Sequence, residues 1–165
     1  MDGSSHGRVR RHSRRRSIGV ALLGAGLLAD MLVAGVAADG AVVTRGEVHA
    51  FAAGTGMPIS GRAQMVRTAD GKTIVSLRVE GLLVNMAYGA HVHKQACADG
   101  DADGHFRFDP SGPATAPNEI WPGFTTNAVG IGNGKAIVDR TAGPTAVAVV
   151  IHAPGGAKIA CADLE

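Results

Sequence analysis

From about residue 41 onward, apolar and polar positions alternate with a period of two over short segments separated by turn residues. That pattern belongs to half-buried β-strands, since neighbouring side chains of a strand face opposite ways. Residues 42–51 predict a first strand, and Gly54-Thr55-Gly56-Met57-Pro58 turns the chain. In residues 59–67, Ala63 and Met65 face one way while Arg62 and Gln64 face the other. Asp70-Gly71 is a hairpin signal. The return strand over residues 72–80 places Val75, Leu77 and Val79 inward and Ile74, Ser76, Arg78 and Glu80 outward. A further strand spans residues 86–94. Periodicity is then lost over residues 95–134, and a loop of that length in a small domain is usually functional. Strands return at 135–139, at 145–152 (apolar throughout, hence buried on both faces) and at 158–164. Short antiparallel strands at this spacing predict an all-β sandwich or flattened barrel.

The front of the chain is different in kind. Arg8, Arg10, Arg11, Arg14, Arg15 and Arg16 precede an apolar run from Ser17 to Ala38 that ends in Val36-Ala37-Ala38. A basic block, an apolar stretch and a small-residue end describe an export signal over residues 1–38, with a retained single-span anchor as the alternative. The sandwich domain then occupies residues 39–165. Taking the leader away changes the charge picture. The formal +2 of the whole chain becomes a mildly acidic body, with ten basic against twelve acidic residues. Such a body carries no footprint for nucleic acid. It also has no stable membrane insertion once the leader is cut. Two cysteines, Cys97 and Cys161, lie in the exported part. They read as one disulfide in an oxidising compartment or as two separate buried thiols. Nothing in the pattern specifies an oligomeric state.

The chemistry lies in the histidines. The chain has seven, of which His6 and His12 are in the leader and His49 lies on the first strand. His91 and His93 are alternate residues of one strand, so both imidazoles face the same side and can meet one ion. His105 lies in the long loop, and His152 ends the apolar strand. Four imidazoles without a thiolate suit Cu(II), and zinc satisfies the same donors on softness alone. The run Asp99-Gly100-Asp101-Ala102-Asp103-Gly104 imitates the start of a calcium loop, but its twelfth position is Pro110 rather than a bidentate glutamate. It reads as a solvated acidic turn.

Taken in order, Gly89-Ala90-His91-Val92-His93, Cys97, Gly104-His105-Phe106, Val150-Ile151-His152 and Lys158-Ile159-Ala160-Cys161 resemble the copper/zinc superoxide dismutases. That family has a G-x-H-x-H strand, a loop cysteine, a G-x-H-F metal histidine, a late V-V-H and a terminal R-L-A-C. The resemblance runs from about Val42 to the end. It implies an eight-stranded Greek-key β-sandwich, a Cys97–Cys161 disulfide, and one copper ion held by His91, His93, His105 and His152. The implied activity is disproportionation of the superoxide anion to dioxygen and hydrogen peroxide outside the cytoplasm. The alternative on the same fold is a non-enzymatic module that binds and carries copper.

The departures from the family sharpen the expectation. Where it carries H-V-G-D-L-G-N, this chain has Ala128-Val129-Gly130-Ile131-Gly132-Asn133, and no histidine falls between His105 and His152. The ligands of a zinc site are therefore missing, and the chain is similar to the copper-only branch. The electrostatic loop shrinks to Ala153-Pro154-Gly155-Gly156-Ala157. Lys158 stands in place of the active-site arginine, keeping the charge as a point rather than a fork. His105-Phe106 is followed by Arg107-Phe108 before Asp109-Pro110. Without zinc, another group has to hold the far nitrogen of His105, and Glu119 is the expected partner. Trp121 is expected to anchor the loop by packing.

Overall fold

The computed structural model describes residues 40–165; the export segment expected over residues 1–38 lies outside the described residues. One antiparallel sheet contains β1 (Val42–Glu47), β3 (Ser60–Arg67), β4 (Thr73–Glu80) and β7 (Gly132–Val138), hydrogen-bonded in that order. The other runs β2 (His49–Ala50), β9 (Lys158–Asp163), β8 (Ala148–His152), β5 (Ala87–His93) and β6 (Phe124–Thr125). The chain leaves the first sheet after β4 and comes back to it at β7, giving a Greek-key sandwich. Among the described residues no helix is long and apolar enough to cross a membrane.

The alternation decides what is buried. Ala63, Met65, Val75, Leu77 and Val79 turn into the space between the sheets and meet Val92, Val149 and Ile151 from the other side. Each large aliphatic side chain removed from water contributes roughly 1.5–3 kcal/mol. All five residues of β8 are buried, as its unbroken apolar sequence requires. Asp70-Gly71 forms the hairpin turn, with Gly71 at φ +84° and the Lys72 N–H donating to Thr68 Oγ1 at 2.9 Å.

Two elements differ from the sequence expectation. The first strand is two strands. β1 pairs with β3 in one sheet and β2 pairs with β9 in the other. Gly46 makes the crossing possible, because a Cβ there would lie 1.7 Å from the Asp163 carbonyl oxygen. Alternation continues unbroken through Val48, so it cannot reveal a change of sheet. The loop over residues 95–134 also contains β6, and β7 begins at Gly132 rather than residue 135. Gly132 and Gly134 read as turn residues, yet they lie within a strand. Side chains there would collide with the Phe124 ring and the Pro122 carbonyl.

Candidate metal centre

The edge of β5 beyond its short pairing with β6 organises the site. Val92, between the two alternate histidines, donates its N–H to Ile120 O at 3.1 Å and accepts from Phe106 N at 2.8 Å. A single residue therefore pins two separate segments of the long loop beside β5. Phe106 and Ile120 are buried, so in both extended segments the flanking residues turn the other way. His105 and Arg107 flank Phe106; Glu119 and Trp121 flank Ile120. On the opposite edge of β5, β8 pairs so that Gly89 faces His152. Glycine at that position leaves room for the imidazole, with the His152 Cβ 3.6 Å from where a side chain would start.

The four histidines named from sequence come together. One nitrogen from each of His91, His93, His105 and His152 lies within 4.8 Å of the other three. Each ring is fixed through its second nitrogen where a partner exists. His93 donates Nδ1–H to the Ala102 carbonyl, and His152 donates Nδ1–H to Gly156 O at 3.0 Å. His105 donates Nδ1–H to Glu119 Oε2 at 2.7 Å. What remains is unpaired: Nδ1 of His91 and Nε2 of His93 and His152 are buried without any hydrogen-bond partner. An unsatisfied buried polar atom costs about 1–3 kcal/mol, so three around one point suit a shared electrophilic partner. A metal–nitrogen bond of about 2.0–2.1 Å places opposite donors about 4.2 Å apart. The donor set fits a metal ion.

Electrostatics agree with that use. Burial pushes His91 down to about 4 and His93 down to about 3, and repulsion from the other imidazoles adds to it. His152 is lowered for the same first reason, partly offset by its bond to Gly156. These rings are neutral at physiological pH and their lone pairs are free for a metal. A depressed folded value means that the unfolded chain binds protons first as pH falls. The metal-free protein is therefore expected to lose stability between pH 7.5 and pH 5, before carboxylates titrate appreciably. Urea unfolding at the two pH values measures this, and equal midpoints would contradict it.

Glu119, expected as the partner of His105, is fully buried and holds more than that ring. Its Oε1 accepts from Arg107 Nε at 2.9 Å, and its Oε2 accepts from Trp121 Nε1 at 2.8 Å as well as from His105. Burial alone would raise its carboxyl, but the bonds from Trp121, His105 and Arg107 outweigh that and hold it below its ordinary value. Trp121 is 42% exposed, and its ring centroid lies 5.1 Å from that of His91. It borders the site through these two contacts, and it is not among the residues packed against the core. The sequence reading missed Arg107 and this hydrogen bond. Their i, i+2 spacing from His105 and from Glu119 was the available signal.

Lys158 lies at the start of β9, outside the donor set, with Nζ donating to Asp101 O at 2.9 Å. It is close enough to disfavour a positive charge on His93 and His152. Asp101 and the neighbouring Ala102 both adopt left-handed backbone, at φ +55° and +53°. Ala102 is buried against Cys161. The acidic turn is thus a support whose consecutive carbonyls hold Lys158 and His93. Cys97 and Cys161 form a disulfide that ties this turn to β9. His49 is exposed on β2, outside the histidine cluster. Neither a protein-family model nor a curated protein sequence matches this chain.

Proposed function

We propose that this domain is an exported copper-dependent superoxide dismutase holding one copper ion per chain through His91, His93, His105 and His152. The observation that carries the reading is the convergence of their nitrogens within 4.8 Å, three of them buried and unpaired. Four imidazoles and no thiolate are the donor set that Cu(II) favours among first-row metals. Bound copper supplies the one-electron couple that disproportionation of two superoxide anions to dioxygen and hydrogen peroxide requires.

The chain's own residues provide the rest. β5 and β8 hold His91, His93 and His152 on a rigid sheet, which keeps the donor geometry fixed. Glu119 orients His105 and increases its donor strength. The His105 side chain is 30% exposed, so a small anion and protons from water have access beside it. Ala153–Ala157 is too short a connection to form a tall cover over the centre. Lys158, held by the Asp101 carbonyl, contributes a fixed positive charge that favours an anionic substrate. The disulfide agrees with residence in an oxidising compartment.

Superoxide removal by the copper-loaded protein, followed against ionic strength, tests the proposal. Turnover that slows with added salt is expected. Lys158→Ala is expected to retain its copper while losing up to about tenfold in low-salt rate, the lower end of electrostatic steering effects. Its salt dependence should also flatten. Stoichiometric copper without turnover would instead assign the domain to copper carriage.

A further inference from the structure

We propose that Trp121 is a positioning residue that sets how strongly Glu119 pulls on His105, and through it the balance between Cu(II) and Cu(I) at the centre. This inference rests on the copper reading above. Its observation is the sharing of one oxygen. Glu119 Oε2 accepts from both His105 Nδ1, at 2.7 Å, and Trp121 Nε1, at 2.8 Å. Arg107 occupies the other oxygen at 2.9 Å.

Two donors on one carboxylate oxygen draw on the same electron density, so each weakens the other. The basicity of a metal-bound imidazole rises with the pull on its distal N–H. An indole N–H placed on Oε2 therefore holds back the donor strength of His105. A more strongly donating ligand stabilises Cu(II) over Cu(I). By moderating that effect, Trp121 keeps the reduced state accessible, as a cycle through both states requires. The indole is partly exposed, while its N–H is directed at the buried carboxylate.

Trp121→Phe keeps an aromatic ring beside His91 and removes only the donor. Trp121→Leu removes both. With either variant, Oε2 serves His105 alone. The ratio of Cu(II) to Cu(I) affinity is expected to rise about two- to tenfold, the worth of one ordinary hydrogen bond. That is a fall in reduction potential of about 20–60 mV at 59 mV per tenfold for one electron. A role in packing alone would leave the Phe variant at the wild-type potential. An unchanged or raised potential for Trp121→Phe, or a shift confined to Trp121→Leu, overturns the inference. The metal-free protein gives a separate readout. The His105 Hδ1 resonance should move downfield in Trp121→Phe as its bond to Glu119 strengthens, and an unmoved resonance overturns the inference even if potentials cannot be measured. Failure of the wild-type protein to take up copper sinks the copper reading instead, and leaves the proton resonance to decide on the shared oxygen.

Discussion

Replacing Cys97 with alanine lowers the stability of the domain by about 4 kcal/mol, the chain-entropy value for a loop of this length. The bridge spans a sequence separation of 64 residues, so without it the unfolded chain regains a large set of conformations. Cys97 is the better residue to change. It is half-buried, whereas Cys161 is fully buried beneath Val150 and Ala148. The effect reaches the candidate site as well. Between Cys97 and Gly104 lie the carbonyls of Asp101 and Ala102, which hold Lys158 and His93. Asp101 and Ala102 both have left-handed backbone, and the Cys97 N–H further ties the start of this segment to β9 by donating to Asp163 Oδ1 at 2.7 Å. Urea unfolding of the metal-free variant measures the stability, and copper titration of the folded variant measures the loosened anchor. A loss below about 1 kcal/mol would show that the bridge closes a loop already ordered in the unfolded chain.

His152→Ala is expected to reduce copper affinity by more than about a hundredfold. Outer partners of metal-bound imidazoles are already worth about 10–100-fold, and His152 is itself one of the four rings that could hold the ion. The sandwich should survive the change. His152 is the last residue of β8, and its Nε2 is one of the buried atoms without a partner. Deleting the ring removes that unsatisfied atom, which offsets part of the packing it takes away. Metal-free stability should therefore change far less than metal affinity does. Competition against a chelator of known affinity measures the first expectation, and thermal unfolding of the metal-free variant measures the second. Wild-type affinity in the variant would remove His152 from the donor set.

Much of the sandwich was legible because period-two alternation is a local property of the chain. Residues 72–80 specify both the strand and its inward face, and Val75, Leu77 and Val79 are buried as that pattern requires. His91 and His93 were legible for the same reason, since alternate residues share a face. Bringing His105 and His152 to that face depends on contacts between distant segments. Those were signalled by the order of motifs rather than by any local pattern. The change of sheet at Val48 was invisible because the pattern does not register which partner a strand has. The strand starting at Gly132 was hidden because glycines required by close backbone approach look like turn residues. Arg107 and Trp121 share an alternation with His105 and Glu119. Their role emerges only once Val92 has drawn both segments to one edge. The acidic turn at residues 99–104 looked solvated from its carboxylates, while its function lies in backbone carbonyls that composition does not show.

Loading the protein with Cu(II) and recording its magnetic-resonance spectrum alongside metal analysis puts the convergence of the four rings to the most direct test. One ion per chain is expected, retained against a weak chelator, with a tetragonal signal split by several nitrogen nuclei. Copper that binds below one equivalent, washes away, or gives a spectrum dominated by oxygen donors would contradict a four-imidazole centre.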